Sequence, residues 1–403
     1  MTDLELIQSL QRNAKTKIVL LVIDGLGGLP LELDGLTELE AAKTPNLDRL
    51  AAEGTLGQIT PIRHGITPGS GPAHLALFGY DPLIYEVGRG VLEATGVGMH
   101  VAVGDVAARG NFCTVNKQGK ITDRRAGRIP TKEAAPLVEL LSEITLPDVT
   151  IEVRAVREYR FVVVMRGENL HADLEDTDPQ QTGVPPLPVQ ALSAESQRTA
   201  GLFQSWIELA SQKLGDRSRA NAVTLRGLST NPCLPQFQDI YGLRSACVAV
   251  YPMYKGVSRL VGMQILDFEG ESPEDEFAAA DAAKNEYDFF FVHIKKTDSM
   301  GEDGNFEGKV SVIEGLDAAI PSLLAIEPDV IAVTGDHSTP AKMSVHSWHP
   351  VPLLLWAPTT VRPDGNKSFG ERACAQGGLG TFLSADLMSL LMAHADRLEK
   401  YGA

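Results

Sequence analysis

The chain has 403 residues, with 36 Lys and Arg against 52 Asp and Glu, a formal net charge of −16 at pH 7. That balance excludes a general nucleic-acid binder, because holding a phosphate backbone requires a concentration of cations. Apolar residues at 43% and charged residues at 22% exclude a disordered chain, and the length predicts two domains or one large domain carrying an insertion.

Cys113, Cys233, Cys247 and Cys374 form no CxxC pair, which fits a reduced protein better than a disulfide scaffold or a zinc ribbon. The first residues, MTDLELIQSL, are acidic and lack a signal-peptide core. No apolar run nears the roughly 18 residues of a membrane span. The expected location is the cytoplasm, with no membrane partner.

In chain order, the first element is KIVLLVID, a continuous apolar run ending at Asp24. Continuous rather than alternating apolarity predicts a strand buried on both faces, as in a parallel sheet covered by helices. GLGGLP follows, but Pro30 stands where the third glycine of GxGxxG belongs, so the dinucleotide fingerprint fails. TPNLDRLAAEG predicts a helix with Thr44 as N-cap, Pro45 at the first helical position and Gly54 as the stop. TPGSGPAHLALFGYDP then places Ser70 in a Gly-rich turn that opens a helix, where free N–H groups and the dipole favour an alkoxide or a phosphoryl group. A plain capping serine is the competing reading, and no partner base for a nucleophile elbow is identifiable.

From residue 104 to 239 the pattern changes: Arg-rich strand-like pieces (VREYRFVVVMRG, NAVTLRG), a hairpin signal in NKQGK, and a Pro-rich acidic loop, DLEDTDPQQTGVPPLP. This reads as an α+β unit inserted into a sheet domain made of residues 1–103 and 240–403. The sheet domain resumes with DFFFVHIKKTD, ending at Asp298, and DVIAVTGDH, ending at Asp336 and His337. VPLLLWAP follows His346 and His349, and VSVIEGLDAAIPSLLAI and SADLMSLLMAHADRLEKYG have helical spacing. Ligands of open α/β sheets bind beyond the carboxyl ends of strands, so acids there can converge from distant positions. Two imidazoles and several carboxylates at strand ends are acceptable ligands for Zn, Mn or similar ions, and paired ions can activate a serine without a general base.

Taken together, VIDGLGG, TPNLDRLAAEG, GSGPAHLALFGYDP, DRRAGR, HIKKTD, TGDHSTP and HPVPLLL resemble the archaeal-type 2,3-bisphosphoglycerate-independent phosphoglycerate mutases of the alkaline phosphatase superfamily, from about residue 17 to the C-terminus. The resemblance implies a mainly parallel α/β sheet flanked by helices with an inserted α+β lid. It implies interconversion of 3-phosphoglycerate and 2-phosphoglycerate, with two divalent ions, Mn or Mg, and no 2,3-bisphosphoglycerate. Ser70 matches the phosphorylated nucleophile; Asp24, Asp336 and His337 match the ligands of the ion that also binds it; Asp298 and His346 match ligands of the second. The family's last ligand falls in a D-x-x-G-H pattern, and here Glu302 stands in place of that histidine. A carboxylate keeps the site metal-binding but favours harder, oxygen-preferring ions.

The substrate's negative charges require local cations. Candidates are Arg124, Arg125 and Arg128 in DRRAGR, and Lys255 and Arg259 in YKGVSRL, with Arg226 behind them. Asp123 is a candidate proton shuttle, His64 a phosphate contact, His74 a loop-ordering residue and His349 an outer neighbour of the ligands. The competing enzyme reading is a phosphatase or phosphotransferase of the same superfamily acting on another small hydroxy acid or amino alcohol. Water exclusion by the inserted unit separates the two.

Overall fold

A computed structural model describes residues 3–402. The chain divides into two compact units: residues up to Glu86 together with those from Leu234 onward, and Val87–Cys233.

The first unit is built on an eight-stranded sheet in the order Gly380–Leu383, Thr55–Thr60, Val351–Trp356, Val330–Thr334, Ile18–Ile23, Phe289–Ile294, Ser245–Ala249, Gln264–Ile265. Every neighbouring pair is parallel except the two made by Val351–Trp356, the one reversed strand. The three apolar runs that end in acids lie side by side at its centre, with Ile18 in register with Phe289 and Val330. Every residue of these three strands is buried, which is why none of them alternates. Val19, Leu21 and Ile23 pack into a core shared with helices Pro45–Glu53, Pro273–Ala282 and Phe306–Leu324. Ile18, Leu20 and Val22 are equally buried, so the second face is covered too. The result is the expected mainly parallel sheet flanked by helices.

Two helix ends differ from the sequence reading. Thr44 sits at the start of Pro45–Glu53 but makes no side-chain cap. The Asp317 carboxylate takes that role, accepting the N–H of Leu47 at 2.8 Å, the N–H of Asn46 at 3.2 Å and the Asn46 amide at 3.1 Å. A buried carboxylate reaching two helix N–H groups outcompetes a hydroxyl, because its charge complements the dipole. The last helix stops at His394 rather than running on. Asp396 turns the backbone to φ +56°, and Arg397 folds inward to donate to the Thr16 carbonyl at 2.6 Å.

The second unit is antiparallel. Its strands run Thr150–Ala155, Arg160–Arg166, Val106–Val115, with both Ile121–Asp123 and Ala222–Ser229 also paired to Val106–Val115. The NKQGK turn closes with Asn116 N–H donating to the Lys120 carbonyl at 2.9 Å. Helices Thr131–Ser142 and Gln197–Leu214 cover a core containing Phe112, Phe161, Phe203 and Trp206. The unit begins at Val87 instead of 104, since helix Arg89–Gly96 packs on strands Val106–Val115 and Ala222–Ser229. Among the described residues no helix is long and apolar enough to cross a membrane.

Replacing Asp317 with Ala should destabilise the protein by about 2–3 kcal/mol, the range for losing a charged hydrogen-bonding cap. A urea-midpoint shift worth under about 1 kcal/mol would return the capping role to Thr44.

Candidate active site

The sheet brings its chemistry to one edge. Ile18–Ile23, Phe289–Ile294 and Val330–Thr334 are parallel, so Asp24, Asp298 and Asp336 with His337 all follow carboxyl ends there. Val351–Trp356 is reversed and therefore starts at the same edge, which delivers His346 from the segment before it. Thr55–Thr60 also ends there, and the loop beyond leads to Ser70 at the first position of helix Ser70–Leu77. The convergence read from strand ends is thus observed.

Around His337 Nε2 lie Asp336 Oδ2 at 3.0 Å, Ser70 Oγ at 3.3 Å and Asp24 Oδ1 at 3.5 Å. Donors around a four-coordinate ion with bonds of about 2.0–2.1 Å are about 3.3–3.5 Å apart, a range close to the three distances from Nε2, and Asp24, Asp336 and His337 gather their donor atoms within 4.8 Å of one another. Asp24 Oδ1 and Asp336 Oδ2 are buried with no well-aligned hydrogen bond, their shared neighbour being the His337 ring nitrogen at 3.5 and 3.0 Å. Carboxylate oxygens left bare in a dry site are costly unless a cation meets them. A second group, Asp298, His337 and His346, also gathers its donor atoms within 4.8 Å, with Asp298 Oδ1 3.6 Å from His346 Nε2. Glu302 shares the helix Lys296–Glu302 with Asp298, four residues on. It is half exposed and comes within 3.9 Å of His346 Nε2, outside the tighter donor groups.

The electrostatics follow from the crowding. Burial, and then the neighbouring Asp336 carboxylate, raise Asp24 well above the usual carboxylate range. Burial would raise Asp336 too, but His337 and His74 beside it hold it well below that range. His337 is pushed up to about 9: burial opposes its charge, and the Asp336 carboxylate overcomes burial. A divalent ion would take the place of these protons.

Several groups organise the ligands. Tyr254 donates its hydroxyl to Asp24 Oδ2. Lys295 donates to Asp298 and lies 3.0 Å from Asp24 Oδ2. His74 is fully buried and hydrogen-bonds the Ser70 carbonyl at 2.7 Å, ordering the serine turn. Beneath, the buried Lys309 ammonium donates to the carbonyls of Gly25 at 2.8 Å, Gly27 at 3.0 Å and Thr339 at 2.9 Å. Two acids bind the same loops by their N–H groups: Glu371 takes Gly28 at 2.8 Å, and Glu38 takes Leu29 at 3.1 Å and Ala341 at 2.7 Å. The GLGG run is explained here. Gly25 has φ +65°, and a Cβ on Gly28 would lie 1.9 Å from Glu38 Oε2.

In the second unit, Arg124 is a two-pronged partner of Asp178, at 2.8 and 3.0 Å, and Arg226 pairs with Asp176 and Asp178. Arg125 and Arg128 are exposed, and among the described residues their guanidinium groups have no partner. The candidate shuttle Asp123 accepts the N–H groups of Arg125 at 2.7 Å and Gly127 at 2.6 Å, shaping the turn that presents them. His64 is exposed, and His349 meets Ser347 Oγ at 3.0 Å.

Comparison with known proteins shows the family of the chain. The family model described as 2,3-bisphosphoglycerate-independent phosphoglycerate mutase matches residues 51–219. A Thermus thermophilus protein named as a "probable 2,3-bisphosphoglycerate-independent phosphoglycerate mutase" is 52% identical over 98% of both chains. The chain belongs to that family. A Thermosipho africanus protein of the same name is 51% identical over 96% of both chains. Among solved structures, the cofactor-independent phosphoglycerate mutase of Thermoplasma acidophilum matches at 33% identity and TM-score 0.73, over 94% of this chain and all of that one. A Pyrococcus horikoshii protein matches at 32% identity and TM-score 0.84, over 97% of this chain and 100% of that one. Membership makes this chain an isomerase, and the family is named for working without 2,3-bisphosphoglycerate.

Sequence reading missed Tyr254, Lys295, Lys309 and Thr339. The usable signals were faint: Lys295 follows a buried strand three residues before Asp298, and Tyr254 lies on the buried side of helix Pro252–Leu260. Of that helix it is Tyr254 that meets Asp24, whereas Lys255 and Arg259 lie near the buried Cys247 thiol, with Lys255 also near Glu276. Burial, and then Asp275, push Glu276 up to about 9. The folded chain therefore holds a proton that the unfolded chain releases near pH 4.5, and stability falls as pH rises from about 4.5 to about 9. Glu276→Gln should remove this slope, leaving the variant the more stable by about 1–3 kcal/mol at pH 8 and equal to its parent below about pH 5. Urea titrations at both pH values check this; parallel stability curves would refute it.

Proposed function

We propose that this chain interconverts 3-phosphoglycerate and 2-phosphoglycerate through a phosphoserine at Ser70, aided by two divalent ions, Mn or Mg. Asp24, Ser70, Asp336 and His337 would hold one ion, and Asp298, Glu302 and His346 the other. What supports this reading is the gathering of Asp336 Oδ2, Ser70 Oγ and Asp24 Oδ1 around His337 Nε2 at 3.0, 3.3 and 3.5 Å, with both carboxylate oxygens buried and short of well-aligned hydrogen-bond donors. When bound, the ions would lower the serine pKa and neutralise phosphoryl charge.

The chain's own residues do the rest. Ser70 Oγ gives up its proton and attacks phosphorus, the bond to the substrate's 3-oxygen breaks, and that oxygen takes up a proton. The glycerate re-orients without leaving. Its 2-hydroxyl then gives up a proton and attacks the phosphoserine, the bond to Ser70 Oγ breaks, and Oγ takes up a proton to restore the serine. Atoms and charge balance over the cycle, and water must be kept out, because hydrolysis of the phosphoserine would yield glycerate and phosphate.

Holding the glycerate is the role proposed for the Val87–Cys233 unit, acting as a lid. Its support is the contrast among the arginines. Arg124 is committed to Asp178, while the exposed forks of Arg125 and Arg128 are available for a carboxylate or phosphate. Lys255 and Arg259 remain candidate anion contacts. Glu302 in place of histidine supports an oxygen-preferring ion at the second position.

An enolase-coupled assay after chelation, with Mn, Mg, Co and Zn added back singly, tests substrate and ion together. Activity should vanish on chelation and return best with Mn or Mg. Ser70→Ala should lower turnover about 10³-fold or more while two ions still bind. Release of free phosphate from 3-phosphoglycerate without 2-phosphoglycerate would replace the mutase reading with a phosphatase.

A further inference from the structure

Thr339 is fully buried directly after the His337 loop, and every polar atom it has is engaged. Its N–H donates to the Gly27 carbonyl at 3.0 Å, and its carbonyl accepts from Lys309 at 2.9 Å. Its side-chain oxygen lies 2.8 Å from Asp298 Oδ1 and 3.0 Å from His337 Nδ1. A hydroxyl has one proton to give. Asp298, ion-paired to Lys295, can only accept, so the proton goes to Asp298. The contact with His337 then has one polarity left: Nδ1–H donates to the Thr339 oxygen. With Nδ1 carrying hydrogen, the ring offers Nε2 toward Asp24, Asp336 and Ser70.

We propose that Thr339 is a positioning residue that couples the two donor groups, its one hydroxyl fixing both the ring orientation and tautomer of His337 and the carboxylate plane of Asp298. This rests on the paired-ion reading above. Partners of this kind typically change metal affinity by about 10- to 100-fold when removed. Because the oxygen touches a member of each donor group, its loss should weaken both ions together, whereas a residue that merely packs beside one group would weaken one. The methyl contributes separately, by packing. Thr339 Cγ2 lies 2.9 Å from where a Cβ on Gly301 would sit, so it closes against that glycine.

The test is titration of chelated full-length protein with Mn, read by calorimetry and by electron paramagnetic resonance, on the parent, Thr339→Val and Thr339→Ser. Valine keeps the shape and removes the hydroxyl. The parent should take up two ions. Thr339→Val should bind both about 10- to 100-fold more weakly, and Thr339→Ser should stay within about threefold of the parent. At saturating Mn, Thr339→Val should lower kcat with KM for 3-phosphoglycerate unchanged. Two ions in the parent with Thr339→Val within about threefold of it, or a loss at one ion alone, would overturn this inference and leave the paired-ion reading standing. A parent that binds no pair of ions would overturn both. Should the valine variant fail to fold, judged by its urea midpoint, the serine variant carries the test. Retention within about threefold supports the hydroxyl bridge, and a tenfold loss would assign the effect to the methyl.

Discussion

Three buried carboxylates, Asp24, Asp298 and Asp336, crowd one edge of a sheet with one lysine among them, and most of the local structure follows from that crowding. Removing an ionised carboxylate from water costs several kcal/mol even after the protein relaxes around it. The chain offsets part of this with Tyr254, Lys295, and the Gly25 and His337 N–H groups that donate to Asp336 Oδ1. It then leaves Asp24 Oδ1 and Asp336 Oδ2 without a well-aligned donor, only the shared His337 ring nitrogen lying near both. Folding stability alone would favour satisfying or removing those oxygens. Their retention is what a cation-binding site requires.

A crowded cluster of buried carboxylates persists only if its frame is rigid. The frame is built on two polarities. Lys309 holds carbonyls of both ligand loops, while Glu38 and Glu371 hold N–H groups of the same loops. Burial raises Glu371 to about 7 against the bonds it accepts, and burial lowers Lys309 against Glu38 and Glu371. Each group therefore depends on the others for its charge. Close approach of these side chains is what the glycines permit, so a run that superficially suggests phosphate binding is a packing device.

This explains what was legible beforehand. A strand buried on both faces must be apolar throughout, and a parallel sheet must turn its functional side chains out at carboxyl ends; both rules act locally, so Asp24, Asp298, Asp336 and His337 could be named from short segments. The Asp317 cap, Lys309 and Tyr254 could not. Their partners are 270, 284 and 230 residues away in sequence, and nothing in the surrounding residues distinguishes Lys309 from a solvated helix lysine. Thr44 had the right residue type in the right place and lost to a carboxylate arriving from another helix. The second unit's start at Val87 was hidden for a similar reason: helix Arg89–Gly96 has no pattern of its own that assigns it to one sheet or the other.

Net charge adds a last constraint. A chain at −16 repels a small polyanion over most of its surface, so any attraction must be local. In the Val87–Cys233 unit, acids absorb some of the arginines: Asp178 and Asp176 hold Arg124 and Arg226. The ordered turn at Asp123 leaves Arg125 and Arg128 uncommitted and close together in sequence, with Ala126, Gly127 and Arg128 all at positive φ to make the bend. Such a backbone is costly for Ala126 and Arg128, which lack the freedom of glycine. The cost is understandable if the turn serves to project two guanidinium groups that nothing else in the unit neutralises. Specificity for a hydroxy acid with two anionic groups would then come from the arginines left unpaired rather than from the total, and the acidic background would discourage anions too small to engage both forks.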